Sequence, residues 1–541
     1  MSQVIGFLLI LGPLVVVHEF GHFLFAKLFK VRADIFSVGF GPRLFGKQIG
    51  ETEFRLSAIP LGGYVKLFGE DLDQEMTPSE RERALYAQAP WKRFMIFFGG
   101  PLFNFIFAVL VFMVILVVGE PHVAAVAGRV VSGSYAEKIG FSTGDHILAV
   151  DGKQVHTFNE VILAMNEAGD RELEVEVQRR AGPHQTLKVR PQLQEGFSQY
   201  GEEKQVGHVP GLTAIPRTAE VGVSNPSSAA GKAGLKTGDL VNAWDGKAIK
   251  TWEEIENAYG ETPDGGTVTL SVTRSGGAPR DVKFTKKADG RSPGSDWGLY
   301  SSELFVESIL DGQPAQAAGI QKGDRVVKVG TIEVPSFFDL KDEIQSAAQH
   351  NGRVRVSWER DGKMREAMLT PTENKRTGPT LKSSTEYTIG VAPMLKMAEP
   401  ETVVERVFNP FVLLYRGVDR TVEISWRNLV SLGKMVTGDV SIKTLGGPIL
   451  IGKIAGDSLS RGLIQFLTIM AVLSVGLGIL NVLPIPVLDG GHLLLLGIES
   501  IRGKALTIRQ MEIVQQVGLS LILLIMVIVI RNDLARLALF D

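Results

Sequence analysis

Long apolar stretches alternate with polar ones along the chain. Hydrophobic residues dominate positions 4–29, 94–118, 463–498 and 514–530. Each block reaches or approaches the roughly 20 residues that a membrane-spanning helix needs. The pattern predicts a membrane protein with an α-helical core of about four spans: 1–30, 94–119, and two within 461–541, of which the first is broken.

Positive charges predict the orientation of these spans. A series of Lys and Arg residues from Lys27 to Arg93 lies between the first two blocks, and Arg502, Lys504 and Arg509 lie between the last two. By the positive-inside rule both connections are cytoplasmic, so both termini and the 120–460 region are expected on the extracytoplasmic side. The first block lacks a basic leader and a small-residue cleavage site, so we expect it to be retained as a span.

The first connection, 31–93, reads as a small membrane-associated β region. Its segments IFSVGFGPRLF and ETEFRLSAIPLGGYVKLFG are rich in β-forming residues and punctuated by glycine and proline. Two interpretations stay open. The segment is either an interfacial anchor or an exposed edge strand that pairs with an extended substrate.

An internal repeat follows the second span. Residues 139–145, 233–239 and 318–324 share a Gly-hydrophobic-x-x-Gly-Asp pattern, and a strand, a short amphipathic helix and a charged hairpin are expected after each copy. These units resemble PDZ domains of the bacterial protease-associated kind. We therefore predict three α+β PDZ-like domains, at 120–213, 214–302 and 303–398. PDZ domains bind extended peptides at a strand edge, but any copy could instead be a rigid spacer.

The segment 399–460 is charged but periodic. Apolar residues recur at helical spacing between about 401 and 445, which predicts one or two amphipathic helices broken near Asn409-Pro410. They are expected to lie against the membrane surface or the PDZ-like array, or to pack as ordinary soluble helices.

Composition narrows the function. A chain of 541 residues is long enough for three or four domains. Lys and Arg total 57 against 59 Asp and Glu, which leaves no basic field and argues against a nucleic-acid partner. The chain contains no cysteine, so disulfides and thiolate metal sites are excluded, and a metal ion must be held by nitrogen and oxygen ligands.

Ionisable residues inside the first apolar block are the main chemical signal. His18, Glu19 and His22 fit the H-E-x-x-H pattern, in which two histidines one turn apart reach the same zinc ion and the glutamate lies beside the metal. Charged groups at this depth are costly to insert, so they indicate a function or a partner. The competing interpretation is a chance match, with both histidines hydrogen-bonded in a helical bundle.

A third ligand is expected in the third block, because catalytic zinc usually has three protein ligands and one open position. Asn481, two prolines and the Gly490-Gly491 pair interrupt that block, and broken backbone at membrane depth is tolerated where protein or a wet cavity satisfies it. Asp489 lies in the break. Spacing favours Asp489 as the ligand, with His492 as the alternative.

HEFGH together with NVLPIPVLDGG resembles the signature of the site-2 protease family of intramembrane zinc metalloproteases. The similarity extends over essentially the whole chain, including VGFGP, AIPLGGYVKL and TGDVSIKTLGGPI. The resemblance implies that zinc is the cofactor, bound by His18, His22 and Asp489, that Glu19 is the catalytic base, and that Asn481 contacts the substrate backbone.

The resemblance also implies a biological setting, namely a multi-pass protein of the bacterial inner membrane with its PDZ-like domains in the periplasm. The implied substrates are single-span membrane proteins, above all an anti-sigma factor, with signal-peptide remnants as a second class. The strand around Gly62, Gly63 and Tyr64 is a candidate to hold the unwound substrate. One departure is that the relatives have two PDZ domains where this chain is expected to have three.

Two other classes of protein fit the sequence less well. A membrane-anchored PDZ scaffold with an inactive metal site has no need of four polar groups in lipid. A metal transporter would explain the histidines and the aspartate, but it leaves Glu19 and the repeats unexplained.

Overall fold

The computed structural model describes residues 2–69, 76–179, 182–334, 336–377, 383–504 and 506–537. Part of the predicted cytoplasmic β region, 70–75, lies outside the described residues. Within them, four helices are long and apolar enough to cross a membrane: Gln3–Leu28, Pro90–Val118, Leu463–Val482 and Arg509–Arg536. They coincide with the four apolar blocks of the sequence.

The chain begins with a helix, a bent β-hairpin and a second long helix. The elements are α1 (Ser2–Leu28), β1 (Ala33–Ile49), β2 (Thr52–Leu67), α2 (Pro78–Arg81) and α3 (Pro90–Val118). Phe36 of β1 pairs with both Phe54 and Val65 of β2, so the start of β1 is flanked on both sides by β2. The final part of β2, residues 63–67, therefore forms an outer edge of this sheet.

Glycines allow α1 and α3 to approach closely. A Cβ atom on Gly21 would lie 2.2 Å from the carbonyl oxygen of Gly99, and one on Gly99 would lie 2.8 Å from the carbonyl oxygen of Gly21. Small residues at a helix crossing bring the two backbones together in membrane proteins. The contact places α3 directly beside the turn of α1 that carries the histidines.

After α3 the chain forms β3 (Glu120–Val123) and then three α+β units, each with its own hydrophobic core. Unit 1 has a four-stranded sheet in the order β6-β5-β7-β8 with α5 against it. Its elements are β4 (Arg129–Val130), α4 (Tyr135–Lys138), β5 (His146–Val150), β6 (Lys153–Gln154), α5 (Phe158–Ala168), β7 (Leu173–Gln178), β8 (His184–Val189), β9 (Gln192–Phe197), β10 (Glu203–His208) and β11 (Leu212–Thr213).

Unit 2 has the strand order β16-β15-β13-β12-β17, with β14 paired to β13. Its elements are β12 (Glu220–Gly222), α6 (Ala229–Lys232), β13 (Asp239–Trp244), β14 (Lys247–Ala248), α7 (Trp252–Glu261), β15 (Thr267–Thr273), β16 (Arg280–Thr285), α8 (Pro293–Trp297) and β17 (Tyr300–Ser301).

Unit 3 has the strand order β20-β19-β21-β22. Its elements are β18 (Val306–Ile309), α9 (Pro314–Ala317), β19 (Arg325–Val329), β20 (Ile332–Glu333), α10 (Phe337–Asn351), β21 (Val354–Arg360), β22 (Lys363–Leu369), β23 (Thr372–Thr377), β24 (Ser383–Thr388) and β25 (Val391–Pro393).

The repeated Gly-Asp pair has the same structural role in all three units. Asp145, Asp239 and Asp324 are each buried to 1% exposure. Each accepts a hydrogen bond from the backbone N–H three residues earlier, at 2.8, 2.9 and 2.8 Å. The preceding glycines have φ between 89° and 94°, a conformation that favours glycine. The repeat therefore encodes a tight turn that leads into the core strand.

One prediction for the segment after unit 3 is wrong. Residues predicted as helix from about 401 form β26 (Thr402–Glu405), which pairs with β3. The helix α11 (Pro410–Thr437) begins only after Asn409, whose side chain accepts hydrogen bonds from the N–H groups of Phe411 and Val412. Residues 402–405 form a strand and not a helix because they pair with β3, which directly follows α3 in the chain.

Helix α11 joins the membrane helices to unit 1. Gly417 lies against Val109 and Met113 of α3, with an added Cβ at 3.1 Å from the carbonyl oxygen of Val109. Further along, the hydroxyl of Ser431 donates to the carbonyl of Tyr200 at 2.9 Å, in the turn between β9 and β10. Helix α11 therefore contacts both the apolar helix α3 and unit 1.

Four helices complete the described chain: α12 (Pro448–Arg461), α13 (Leu463–Val482), α14 (Asp489–Arg502) and α15 (Ile508–Leu537). The break predicted in the third block lies between α13 and α14. Helix α13 packs on α3 through a core that includes Ala108, Phe112, Ala471 and Val475.

Candidate active site

Two histidines face α3 from one side of α1. The Nε2 atoms of His18 and His22 lie 3.2 Å apart, as expected for residues one helical turn apart. His18 is 8% exposed. Gly100 of α3 faces both rings, since a Cβ there would lie 2.3 Å from His22 Nε2 and 2.7 Å from His18 Cε1. Space for the imidazoles thus depends on a missing side chain.

Asp489 reaches the histidines from the break between α13 and α14. Its carboxylate oxygens lie 3.2 Å from His18 Nε2 and 3.4 Å from His22 Nε2. The break folds tightly over the start of α14, because a Cβ on Gly490 would lie 2.0 Å from the carbonyl oxygen of Leu483. The φ angle of Val487 is 83°, which is costly for a β-branched residue. The Gly490-Gly491 pair and this constrained loop position the aspartate.

These three side chains fit a tetrahedral zinc ion. Their ligand atoms all lie within 4.8 Å of one another. Zinc binds nitrogen and oxygen at about 2.0–2.1 Å, so two ligands of a tetrahedral ion are about 3.3 Å apart. The two Nε2 atoms are 3.2 Å apart, and each has one of the two Asp489 carboxylate oxygens at 3.2 or 3.4 Å, which is close to that value. Three protein ligands leave a fourth position open, which is the arrangement of catalytic zinc sites.

His492, the alternative third ligand, lies elsewhere. Its ring stacks on that of Phe97 in α3, with centroids 4.7 Å apart and planes at 10°. It is not part of the group of ligand atoms formed by His18, His22 and Asp489. The structure thus brings Asp489, and not His492, to the two histidines.

Glu19 and the edge of β2 lie side by side. The Glu19 carboxylate lies near the backbone of Val65, and a Cβ on Gly63 would lie 3.1 Å from Glu19 Cγ. The outer edge of the hairpin therefore runs alongside Glu19. Gly62 and Tyr64 point away from Glu19, because an added Cβ on Gly62 would meet the ring of Phe40, on which the Tyr64 ring is stacked.

Asn481 lies at the end of α13, close to the histidines. Its Nδ2 atom is 3.5 Å from His18 Nε2. Both Asn481 and Asp489 are partly exposed, which leaves room for a ligand between the break and α1.

Three groups that contact the histidines were not predicted from the sequence. His22 Nδ1 donates to the carbonyl oxygen of Ile96 at 2.8 Å, Asn104 lies 3.0 Å from His18 Nδ1, and Gly100 makes room for both rings. The available signals were a lone asparagine and a Gly-Gly pair inside the second apolar block. A backbone carbonyl leaves no signal in a sequence.

Comparison with known proteins identifies the family. Residues 6–525 match the family described as Peptidase family M50. The chain belongs to peptidase family M50. The resemblance to site-2 proteases is thereby confirmed, and the protein is a zinc metalloprotease of that type.

Relatives align with this M50 peptidase over nearly its full length. Regulator of sigma-E protease RseP of Escherichia coli K12 is 28% identical, covering 98% of both chains. Protease RseP of Yersinia pestis is 29% identical with the same coverage. A relative from Neisseria meningitidis that carries a zinc-metalloprotease name is 31% identical, covering 99% of this chain and 100% of its own.

A solved PDZ domain protein from Parabacteroides distasonis covers 51% of this M50 peptidase and 93% of its own chain at 11% identity. Its TM-score of 0.12 is too low to support an argument about the fold.

Proposed function

We propose that this M50 peptidase hydrolyses peptide bonds in the transmembrane segments of single-span membrane proteins, with His18, His22 and Asp489 as zinc ligands and Glu19 as the catalytic base. The observation that carries the proposal is the set of ligand separations, 3.2, 3.2 and 3.4 Å, beside Glu19 on a membrane-spanning helix.

Each residue has a defined part in the chemistry. When bound, zinc supplies Lewis acidity, which polarises a carbonyl and makes water a competent nucleophile near neutral pH. Glu19 accepts the proton of the attacking water and later delivers it to the leaving amine. Glu19 lies against the β2 edge, where a Cβ on Gly63 would be 3.1 Å from its Cγ, so this edge limits the space in which the carboxylate can move.

Substrate positioning is assigned to the β2 edge and to Asn481. A helical substrate protects its own carbonyls, so it must unwind before a peptide bond becomes accessible. An unwound segment can add to the outer edge of β2, since an extended peptide can join a sheet as a further strand. Asn481 then bonds the substrate backbone from the opposite side, next to His18.

The proposed setting is the bacterial inner membrane, with both termini and units 1 to 3 in the periplasm. The basic residues between the first two spans and between the last two support this orientation. A relative named for the regulation of sigma E supports an anti-sigma factor as a substrate, and we propose signal-peptide remnants as a second class.

We further propose that units 1 to 3 are PDZ-like domains that filter or bind the periplasmic parts of substrates. Units 1 and 2 and the start of unit 3 are joined by buried charges: Arg129 pairs with Glu303 at 2.9 Å, and Arg217 pairs with Glu303 and Glu253, both at 2.7 Å. Burial raises the pKa of Glu253 and lowers that of Arg129. Short contacts between buried charges that come from all three segments support a fixed arrangement of these units.

The units differ in their capacity for peptides. In unit 3, the Gln345 side chain of α10 donates to the carbonyl of Tyr387 and accepts from its N–H, at 2.8 and 3.1 Å, so the β24 edge is already hydrogen-bonded at this residue. In unit 1, a cleft of about 290 Å³ lies between α5 and residues 207–213, lined by Phe158 and Ile162 among others. These contacts favour unit 1 over unit 3 as a copy that binds an extended segment.

The experiment that tests the catalytic proposal is Glu19→Gln, with zinc content and cleavage of a single-span reporter measured on the same preparation. We expect zinc to be retained and cleavage to be lost. Glu423→Gln, which changes an exposed carboxylate on α11, is the matched control and should cleave normally. Unchanged cleavage by Glu19→Gln would refute the proposal, and zinc bound by a wild-type protein that never cleaves would favour the inactive scaffold.

A further inference from the structure

Asn104 is a polar residue in the middle of an apolar span. It lies on α3 with 0% exposure. Its neighbours in sequence are phenylalanines and aliphatic residues. An amide in such surroundings is costly unless it is hydrogen-bonded, so a polar residue inside a membrane helix indicates a role.

Its side chain contacts one zinc-site histidine from behind. The amide Nδ2 lies 3.0 Å from His18 Nδ1, on the ring nitrogen opposite to the one that faces Asp489. The backbone carbonyl of Asn104 accepts from the hydroxyl of Ser474 at 2.8 Å, which ties this turn of α3 to α13. The position of the amide is therefore set by three helices.

The second histidine shows what such a contact does. His22 Nδ1 donates to the carbonyl oxygen of Ile96 at 2.8 Å, so its Nε2 carries no hydrogen when the ring is neutral and is free to bind a metal. Metal-binding histidines usually donate their other N–H to an oxygen in this way. His18 needs the same arrangement, with an acceptor opposite Nδ1.

The amide of Asn104 can supply that acceptor after a half-turn. The oxygen and nitrogen of an asparagine side chain are assigned from their surroundings and are nearly interchangeable in shape. As placed, the Oδ1 atom is buried without a hydrogen-bond partner among the described residues. Rotating the Asn104 amide by half a turn lets Oδ1 accept the hydrogen of His18 Nδ1. His18 Nε2 then carries no hydrogen, so its lone pair can bind a metal.

We propose that Asn104 is a positioning residue, whose side-chain oxygen accepts the Nδ1–H of His18 and so holds the tautomer and ring orientation in which Nε2 binds zinc. This inference rests on the proposed zinc site. It gives the two histidines matched acceptors on α3, one from the backbone of Ile96 and one from the side chain of Asn104.

The test compares Asn104→Leu with Asn104→Asp in the purified full-length protein, by zinc affinity in chelator competition and by the visible spectrum of the cobalt-substituted site. Leucine has a similar size but no acceptor, and we expect zinc affinity to fall by about 10- to 100-fold with an altered cobalt spectrum. Aspartate keeps an acceptor oxygen, and we expect affinity within about threefold of wild type. Ser520→Ala, which removes a hydroxyl that donates only to a backbone carbonyl of its own helix, α15, is the control.

If Asn104 served packing alone, Asn104→Leu should bind zinc more tightly than Asn104→Asp, because leucine is tolerated in an apolar span and a buried carboxylate is not. Retained affinity in Asn104→Leu, or loss in both variants, would overturn the inference while leaving the zinc site itself intact in the wild-type protein. A wild-type protein without specific zinc binding would instead refute the proposed function. Thermal unfolding of the metal-free forms checks that both variants are folded.

Discussion

Gly100→Ala adds one methyl group at the point where α3 faces the two histidines. The new Cβ would lie 2.3 Å from His22 Nε2 and 2.7 Å from His18 Cε1. Ordinary contacts between such atoms are about 3.5 Å or longer, so the rings must move by about 1 Å. Metal sites tolerate deviations of only about 0.2 Å in ligand distance. A displacement of this size should lower zinc affinity and cleavage by about 100-fold or more.

The same substitution should not unfold the protein. Alanine is more favourable than glycine in a helix interior by about 1 kcal/mol, and the clash falls on side chains that can rotate once they no longer hold a metal. The expected variant is folded and zinc-poor. Gly476→Ala in α13 is the matched control, because its added Cβ has no atom within 4 Å.

The assay measures zinc content and chelator competition of purified Gly100→Ala, thermal unfolding, and cleavage of a single-span reporter. Stoichiometric zinc with cleavage within threefold of wild type would refute the placement of the site between α1 and α3. Equal losses in Gly476→Ala would show that the effect is not specific to the space facing the histidines.

Two further predictions concern charged pairs. Arg93 is 5% exposed and bonds Glu499 of α14 at 2.7 Å, so Glu499→Gln should destabilise the protein by about 2–4 kcal/mol and weaken zinc binding through Asp489. Thermal unfolding checks this, and an equal loss in a variant that replaces both partners by methionine would contradict it. Arg274 bonds Asp239 at 2.8 and 2.9 Å, whereas the equivalent ion pair of Asp145 in unit 1 is 3.9 Å long. Asp239→Asn should therefore lower the free energy of unfolding by about 1–3 kcal/mol, and Asp145→Asn should lower it by less. Burial alone would raise the pKa of Asp239, but Arg274 and a backbone N–H hold it below the usual value, so its stabilisation is present at neutral pH and is lost as pH falls below about 4. Unfolding followed against pH should therefore show wild type and Asp239→Asn converging in acid, and parallel curves would contradict the assignment.

Local sequence patterns predicted many of the elements of this fold. The spans follow from apolar length alone, because nothing but a helix satisfies its own backbone in lipid. The Gly-Asp repeat predicted a strand after each copy, and the structure adds that a buried aspartate caps the turn before that strand in each unit. The prediction failed at 402–405, where helical periodicity lost to pairing with β3, a partner about 280 residues earlier in the chain.

The sequence by itself determined which chemical groups are present. His18, Glu19 and His22 share one face of a helix because of their spacing, and the absence of cysteine left only nitrogen and oxygen ligands. Spacing favoured Asp489 over His492, and the family resemblance implied Asp489. The tertiary structure gives the physical reason, because Asp489 reaches the histidines whereas His492 stacks on Phe97.

The tertiary structure also decided what surrounds the ligands. Asn104, Gly100 and the carbonyl of Ile96 act on the histidines only because the close crossing of α1 and α3 brings them there. Such contacts join residues more than 70 positions apart. Their geometry depends on how backbones pack, and the pattern of polar and apolar positions does not encode that packing locally.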